Sequence, residues 1–147
     1  MNGPDRHATT AADVLRVLGL LSDAGVEVWV SGGWGVDALV GRQTRTHRDL
    51  DLLVPLPQSL QAANALSSAG FTLETDWFPT RFEVIDRHGA VVDVHPIRFD
   101  PDGAARLELP DGEWWHLDAE SFDGRGAIGG RSVRCMSVAQ QVRNHTG

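Results

Sequence analysis

The stretch SGGWGVDALVGRQTRTHRDLDLLVP, residues 31–55, carries the densest structural and functional signal in this chain. Gly32 and Gly33 precede an apparent helix, and glycine there lets bare backbone N–H groups approach an anion at the positive end of the helix dipole. Asp49 and Asp51 then alternate with leucines, so on a β-strand both carboxylates share one face. A phosphate cradle followed by two metal ligands predicts magnesium-dependent nucleotide chemistry.

A third carboxylate on a neighbouring strand would complete a site for two metal ions. Asp93 is the strongest candidate, because a charge between two valines in an apolar strand is costly unless it is paired or binds a cation. Glu83, on the strand predicted just before it, is an alternative general base. Taken alone, Asp49 and Asp51 could equally cap the end of a strand or pair with nearby arginines.

Composition and charge are those of an ordinary globular chain. Its 147 residues are 41% hydrophobic and 22% charged, which suits one domain with a core that needs no disulfide or metal. The single cysteine, Cys135, excludes an internal disulfide framework and fits a reducing compartment. Because neither a signal-peptide pattern nor a membrane-length apolar run occurs, we expect a cytoplasmic protein with no membrane partner. The net charge of −7 argues against nucleic acid as a partner and suits a cationic small substrate.

Hydrophobic periodicity predicts a single α+β domain over residues 1–147, with a mixed β-sheet, helices on one side and a flexible terminus at residues 1–8. A capping box at Thr10 and Asp13 begins the first helix. Further helices are predicted at 34–40 and 58–69, with another beginning at 138–144. Strands are predicted at 26–30, 50–54, 82–85, 91–94, 114–117, 127–128 and 131–136, and residues 99–112 are predicted to form a loop.

The order of a Gly-Gly pair, a short helix, Asp-x-Asp on a strand and a later Asp resembles the DNA polymerase β-like nucleotidyltransferase superfamily. More narrowly, WVSGGWGVDALVGRQTRTHRDLDLLV (29–54) is similar to lincosamide nucleotidyltransferases and aminoglycoside 2″-adenylyltransferases, as are VVDVHPIRFD (91–100), GAIGGRSVRCMS (126–137) and VRNHTG (142–147). The resemblance implies a minimal nucleotidyltransferase fold and Mg²⁺. It also implies transfer of a nucleoside monophosphate, by default AMP from ATP, to a hydroxyl of a small molecule such as a lincosamide or an aminoglycoside.

The same resemblance implies roles for individual residues. It places Gly32 and Gly33 in the triphosphate loop and makes Asp49 and Asp51 metal ligands. Asp93 becomes the third catalytic carboxylate, either as a metal ligand or as the base that takes the proton of the substrate hydroxyl.

Three basic residues lie between the predicted helix and the Asp-x-Asp strand. Arg42, Arg45 and His47 are suited to contact triphosphate oxygens, and the alternative is a solvated loop that balances nearby carboxylates. His95 would share a strand face with Asp93, either touching nucleotide or acceptor or serving as a structural histidine.

The acceptor is less well defined than the reaction. Trp77, Trp114 and Trp115 could line a sugar or lincosamide pocket or simply pack. The related enzymes generally continue past the position of Gly147. If that segment covers the acceptor in those enzymes, a second copy would have to complete the pocket here; both a monomer and a homodimer stay open. The alternative function is an antitoxin-like or regulatory module of the same fold that acts on a protein partner.

Overall fold

The computed structural model describes residues 8–137. Along the chain the elements are α1 (Ala11–Asp23), β1 (Trp29–Ser31), α2 (Gly32–Val40), β2 (Asp49–Pro55), α3 (Ser59–Ser68), β3 (Thr72–Trp77), β4 (Arg81–Ile85), β5 (Val91–Phe99), β6 (Ala105–Glu108), β7 (Trp114–Leu117), β8 (Gly124–Ile128) and β9 (Arg131–Cys135). The helix predicted at 138–144, the VRNHTG segment and residues 1–7 of the predicted terminus lie outside the described residues.

The strands of the described chain form one mixed sheet. Its order is β3-β4-β5-β2-β1-β9-β8, while β6 pairs with β5 and β7. The pairs β2–β5 and β1–β9 are parallel and the others are antiparallel. This arrangement confirms the predicted α+β fold with a mixed sheet.

Alternation along the central strands gives the sheet two different faces. Leu50, Leu52 and Val54 of β2 belong to the larger core, which also contains buried hydrophobic residues of α1, α2 and α3. Leu53, on the opposite face, belongs to a smaller core covered by β6 and β7. The helices therefore pack on one side, as predicted, and Asp49 and Asp51 share the helix-free face with Leu53.

Local sequence signals locate several element boundaries correctly. The Thr10 hydroxyl accepts a hydrogen bond from the backbone N–H of Asp13 at 3.1 Å, and the Asp13 carboxylate accepts one from that of Thr10 at 2.9 Å. Gly41 ends α2 with a φ of 90°, a conformation that glycine adopts without strain. The predicted hairpins β4–β5 and β8–β9 are both formed.

Two strands depart from the sequence-based expectation. The strand β3 was not predicted, because it lies at the sheet edge and its residues TLETDW are almost all exposed, so no apolar alternation marks it. The strand β6 lies inside the segment 99–112 that was predicted to be a loop. Its pairing with β5 and β7 overrides the low strand propensity of the Pro-, Asp- and Gly-rich sequence around it. Among the described residues, no helix is long and apolar enough to cross a membrane.

Candidate active site

The register of three adjacent strands brings the predicted carboxylates into one cluster on the helix-free face. Asp51 of β2 lies opposite Asp93 of β5, and Asp93 lies opposite Glu83 of β4. Ligand atoms of Asp49, Glu83 and Asp93 lie within 4.8 Å of one another, and so do those of Asp51, Asp93 and His95. Asp93 belongs to both groups, so the cluster has the composition and spacing to hold one or two divalent cations.

Crowding of negative charge changes the ionisation of Asp49. Burial, followed by the charges of Asp51, Asp93 and Glu83, raises the pKa of Asp49 to about 6. A bound divalent cation would offset the same repulsion. Carboxylate oxygens are the donors that Mg²⁺ prefers, so the cluster fits this ion. Without a metal, the Asp49 carboxylate is protonated below about pH 6.

Two cationic or potentially cationic side chains flank Asp93. Arg81 donates from Nη1 to both carboxylate oxygens of Asp93 at 3.2 Å. The His95 Nε2 lies 3.5 Å from Asp93 and 3.6 Å from Asp51. Burial would raise the pKa of Asp93, but His95 and Arg81 outweigh it and lower that pKa. Burial would likewise lower the pKa of His95, but Asp51 and Asp93 raise it to about 9. Sequence reasoning left the role of His95 open and did not identify Arg81.

The ionisation of Asp49 leads to a prediction for magnesium binding. Mg²⁺ must displace the proton of Asp49 below the pKa of about 6, so we expect affinity to fall about tenfold from pH 7.5 to about pH 5. The stability of the metal-free protein should change with pH in the opposite direction to the Mg²⁺ affinity. Because the pKa of Asp49 is raised in the folded state, its protonation stabilises the fold, and this stabilisation is lost as pH rises through about 6. Calorimetric titration with Mg²⁺ at both pH values measures the first effect, and metal-free melting measures the second.

Asp49→Asn is the matched control, because the amide cannot titrate. Its residual Mg²⁺ affinity should be nearly independent of pH over this range. Equal wild-type affinity at both pH values would contradict the assignment of Asp49 as a ligand.

Gly32 lies directly against the carboxylate cluster, and Gly33 lies against His47 and Arg45. The two glycines are the first two residues of α2 rather than residues before it, and Gly32 has a φ of 61°. A Cβ at Gly32 would collide with the Asp51 carboxylate, and one at Gly33 would collide with the imidazole of His47. Ser31, the N-cap residue, makes no side-chain capping hydrogen bond. Close approach of Asp51 and His47 is therefore a second reason for glycine here, beside the access of an anion to the helix N-terminus.

The three predicted basic residues occupy different environments. Arg45 is exposed, with Nη2 3.1 Å from the position that a Cβ on Gly33 would take. Arg42 is exposed in the same loop. His47 instead turns inward and is 5% exposed, with its ring centroid 4.8 Å from that of Trp34. Triphosphate contact by these residues stays a prediction, and the geometry places Arg45 and His47 beside Gly33.

Sequence reasoning missed Asp37, the buried partner of His47. Asp37 is 2% exposed and accepts hydrogen bonds from His47 Nε2 at 2.6 Å, from the Thr44 hydroxyl at 2.5 Å and from the Thr44 backbone N–H at 2.9 Å. Burial would raise the pKa of Asp37, but the hydrogen bonds from Thr44 and His47 lower it overall. The available signal was an acidic residue between Val36 and Ala38 in an otherwise apolar helix.

A groove with an aromatic rim lies beside Arg81. It has a volume of about 400 Å³ and is lined by two turns, which contribute Trp77, Phe78, Pro79, Thr80, Glu108, Leu109, Pro110 and Gly112. Trp77 and Phe78 are each 55% exposed, and the guanidinium carbon of Arg81 lies 4.7 Å from the Trp77 ring centroid. Arg81 therefore connects the groove to Asp93. Trp114 and Trp115 lie on β7 and are not among the lining residues.

Comparison with known sequences identifies close counterparts of the chain. A family model described as aminoglycoside-2″-adenylyltransferase matches residues 13–147. A lincosamide resistance protein of Staphylococcus haemolyticus is 30% identical over 138 residues, which cover 94% of this chain and 85% of that protein. A 2″-aminoglycoside nucleotidyltransferase of Klebsiella pneumoniae is 30% identical over 124 residues, which cover 83% of this chain and 64% of that enzyme. The matched region thus spans less than two thirds of the aminoglycoside relative.

Solved structures show the same architecture. The crystal structure of a lincosamide antibiotic adenylyltransferase with bound lincomycin superposes with a TM-score of 0.85 at 29% identity, covering 96% of this chain and 89% of that one. The crystal structure of ANT(2″)-Ia in complex with adenylyl-2″-tobramycin gives a TM-score of 0.66 at 23% identity, covering 86% and 68%. At that lower identity the likeness concerns the fold alone.

Proposed function

We propose that this chain, which belongs to the aminoglycoside-2″-adenylyltransferase family, is a Mg²⁺-dependent enzyme that transfers AMP from ATP to a hydroxyl of an antibiotic. The observation that carries the proposal is the cluster of Asp49, Asp51 and Asp93 beside the N-terminus of α2. Retention of all three carboxylates favours catalysis over the antitoxin-like or regulatory module considered as the alternative function.

The proposed residue roles follow from position. Asp49 and Asp51 would hold the metal, whose charge, when bound, neutralises the triphosphate and the leaving pyrophosphate. The N–H groups at Gly32 and Gly33, together with Arg45, bind triphosphate oxygens. The hydroxyl oxygen of the acceptor forms a bond to the α-phosphorus, and the bond from that phosphorus to the bridging oxygen of pyrophosphate breaks.

We assign the proton of the acceptor hydroxyl to Asp93. Asp93 belongs to both groups of ligand atoms, so its carboxylate lies where metal and acceptor would meet, and this position carries the assignment. Arg81 and His95 lower its pKa, which keeps the carboxylate ionised but also makes it a weaker base. Glu83, the other candidate base, faces Arg81 at 3.9 Å and accepts a hydrogen bond from the Thr75 hydroxyl at 3.5 Å. Glu83 lies one strand farther from Asp51 than Asp93 does, which makes it the weaker choice.

The groove beside Arg81 supports a lincosamide as the acceptor. Trp77 and Phe78 offer exposed aromatic surface suited to the face of a sugar and to apolar groups. Of the described residues that line the groove, Glu108 alone carries a titratable side chain. One carboxylate matches the single basic amine of a lincosamide better than the several ammonium groups of an aminoglycoside, each of which favours an anionic partner.

A direct assay tests the proposal. The protein is incubated with ATP and Mg²⁺ in the presence of lincomycin or tobramycin, and pyrophosphate release and the mass of the antibiotic are followed. We expect lincomycin to gain one AMP in a reaction that needs Mg²⁺. Product from tobramycin alone would contradict the acceptor class, and no product from either antibiotic would contradict transfer to these antibiotics.

Trp77→Ala should weaken use of the acceptor specifically. We expect the KM for lincomycin to rise about tenfold through loss of aromatic contact, while the KM for ATP stays within about twofold. Trp114→Ala is the matched control, because Trp114 is also partly exposed but lies outside the groove, beside Arg98 and Arg106. If the KM for lincomycin changes equally in both variants, the groove is not part of the acceptor site.

A further inference from the structure

The Asp37–His47 pair lies outside the carboxylate cluster but joins two parts of the proposed triphosphate site. Asp37 belongs to α2, whose N-terminus carries Gly33, and His47 belongs to the loop between α2 and β2 that carries Arg45. The His47 imidazole donates from Nε2 to Asp37 and presents Nδ1 to Gly33, where the missing Cβ leaves room for it. The pair thus holds the loop against the first turn of the helix.

Most of this loop has little other support. Residues 41–46 are all exposed. At the end of the loop, the backbone N–H of Thr9 donates to the carbonyl of His47 at 2.7 Å and its hydroxyl donates to the carbonyl of Arg48 at 3.1 Å. In the middle, both hydrogen bonds from Thr44 go to Asp37, and the Gln43 side chain donates to the Arg45 carbonyl at 2.9 Å. The position of Arg45 therefore depends on how Asp37 holds Thr44 and His47.

We propose that Asp37 is a positioning residue for the triphosphate. Through its hydrogen bonds with His47 and Thr44 it holds the loop that carries Arg45 in a fixed position relative to the backbone of Gly33. The inference rests on the proposed nucleotide-binding role of this loop. A loop held in advance binds a polyanion without the ordering cost that a mobile loop incurs. Loss of Asp37 should thus weaken binding of the phosphate chain, whereas recognition of the acceptor should not change.

Asp37→Asn is the test, with Asp86→Asn as its matched control. Asp86 lies in the β4–β5 turn, is 4% exposed and accepts hydrogen bonds from the backbone of His88 and Ala90 and from the side chain of Arg16. Both substitutions remove one buried charge that has several donors, so both should lower the melting temperature. Only Asp37→Asn should weaken binding of Mg²⁺–tripolyphosphate, by about tenfold, as measured by calorimetry.

Kinetics and a milder variant pair separate positioning from general damage. In Asp37→Asn the KM for ATP should rise about tenfold with the KM for lincomycin within about twofold. Should Asp37→Asn not fold, Thr44→Val and Thr44→Ser serve instead, since Thr44 is exposed: valine keeps the shape of threonine but loses the hydroxyl bond to Asp37, and serine keeps that bond but loses one methyl group. The valine variant should weaken tripolyphosphate binding severalfold, and the serine variant should match the wild type.

The outcomes for the inference and for the proposed function are distinct. Equal tripolyphosphate affinities in Asp37→Asn and Asp86→Asn, or identical behaviour of the two Thr44 variants, would overturn the positioning role even if the wild type modifies lincomycin. Selective loss of tripolyphosphate binding in Asp37→Asn would support it even if no antibiotic proves to be an acceptor. A wild type that does not bind Mg²⁺–tripolyphosphate would also overturn it.

Discussion

Replacing Asp51 with asparagine should lower the rate of the proposed AMP transfer about a thousandfold, because the amide keeps the size of the side chain but removes a charge that we propose to hold the metal. Asp51 lies opposite Asp93 in the β2–β5 register and borders Gly32, so it faces both the carboxylate cluster and the helix N-terminus. The measurement is kcat for pyrophosphate release at saturating Mg²⁺ and ATP.

The same variant should change the stability of the metal-free protein only slightly, because two effects of Asp51 oppose each other. Asp51 adds to the repulsion that raises the pKa of Asp49, but it also stabilises protonated His95, so the metal-free melting temperature should stay close to that of the wild type. The stabilisation by Mg²⁺ should shrink in parallel. Asp23→Asn, at the exposed end of α1, should behave as the wild type in both measurements. Near-normal turnover in Asp51→Asn would exclude the proposed metal-ligand role.

Gly32→Ala should be nearly as damaging to activity, for a reason that is steric rather than electrostatic. Gly32 has a φ of 61°, and an added Cβ would collide with the Asp51 carboxylate. Either the carboxylate or the first turn of α2 must then move. Displacement of a catalytic group by about 1 Å can lower the rate about a hundredfold, and we expect a loss in kcat of that order.

Gly41→Ala separates the collision from backbone strain. Gly41 also has a positive φ, 90°, but an added Cβ there would meet no heavy atom within 4 Å. Both variants should lose about 1–2 kcal/mol of unfolding free energy from the left-handed backbone. The rates are compared at a temperature where both variants are fully folded, so that the loss of stability does not affect kcat. Under these conditions only Gly32→Ala should lose activity. If the two variants retain the same kcat, the close contact between Asp51 and Gly32 is not required for activity.

Much of the fold could be predicted because its signals are local. The capping box at Thr10 and Asp13 and the chain reversal at Gly41 involve residues only a few positions apart. Edge strand β3 was missed for the same reason: its exposed, polar residues carry no local pattern, and its pairing with β4 supplies the backbone hydrogen bonds.

In the candidate site, too, some features follow from the local sequence and others depend on contacts between distant parts of the chain. The period of two along a strand is enough to place Asp49 and Asp51 on one face, and tertiary contacts cannot change that alternation without breaking the strand. The neighbours of those carboxylates are different, because they depend on which strands pair and in which register. Arg81 reaches Asp93 across the β4–β5 pair, and no spacing along the chain indicates that contact.

The amino-acid sequence was therefore enough to identify the elements of the site: a glycine pair beside a helix, the two aspartates on one face of β2, and the family that combines them. The contacts between those elements depend instead on how the chain folds. The tertiary structure turned His47 inward onto Asp37, a residue that sequence reasoning had passed over, and set Asp51 where a side chain on Gly32 would stand. This difference arises because backbone conformation and side-chain alternation are set by neighbours in the chain, whereas burial and charge pairing are set by neighbours in space.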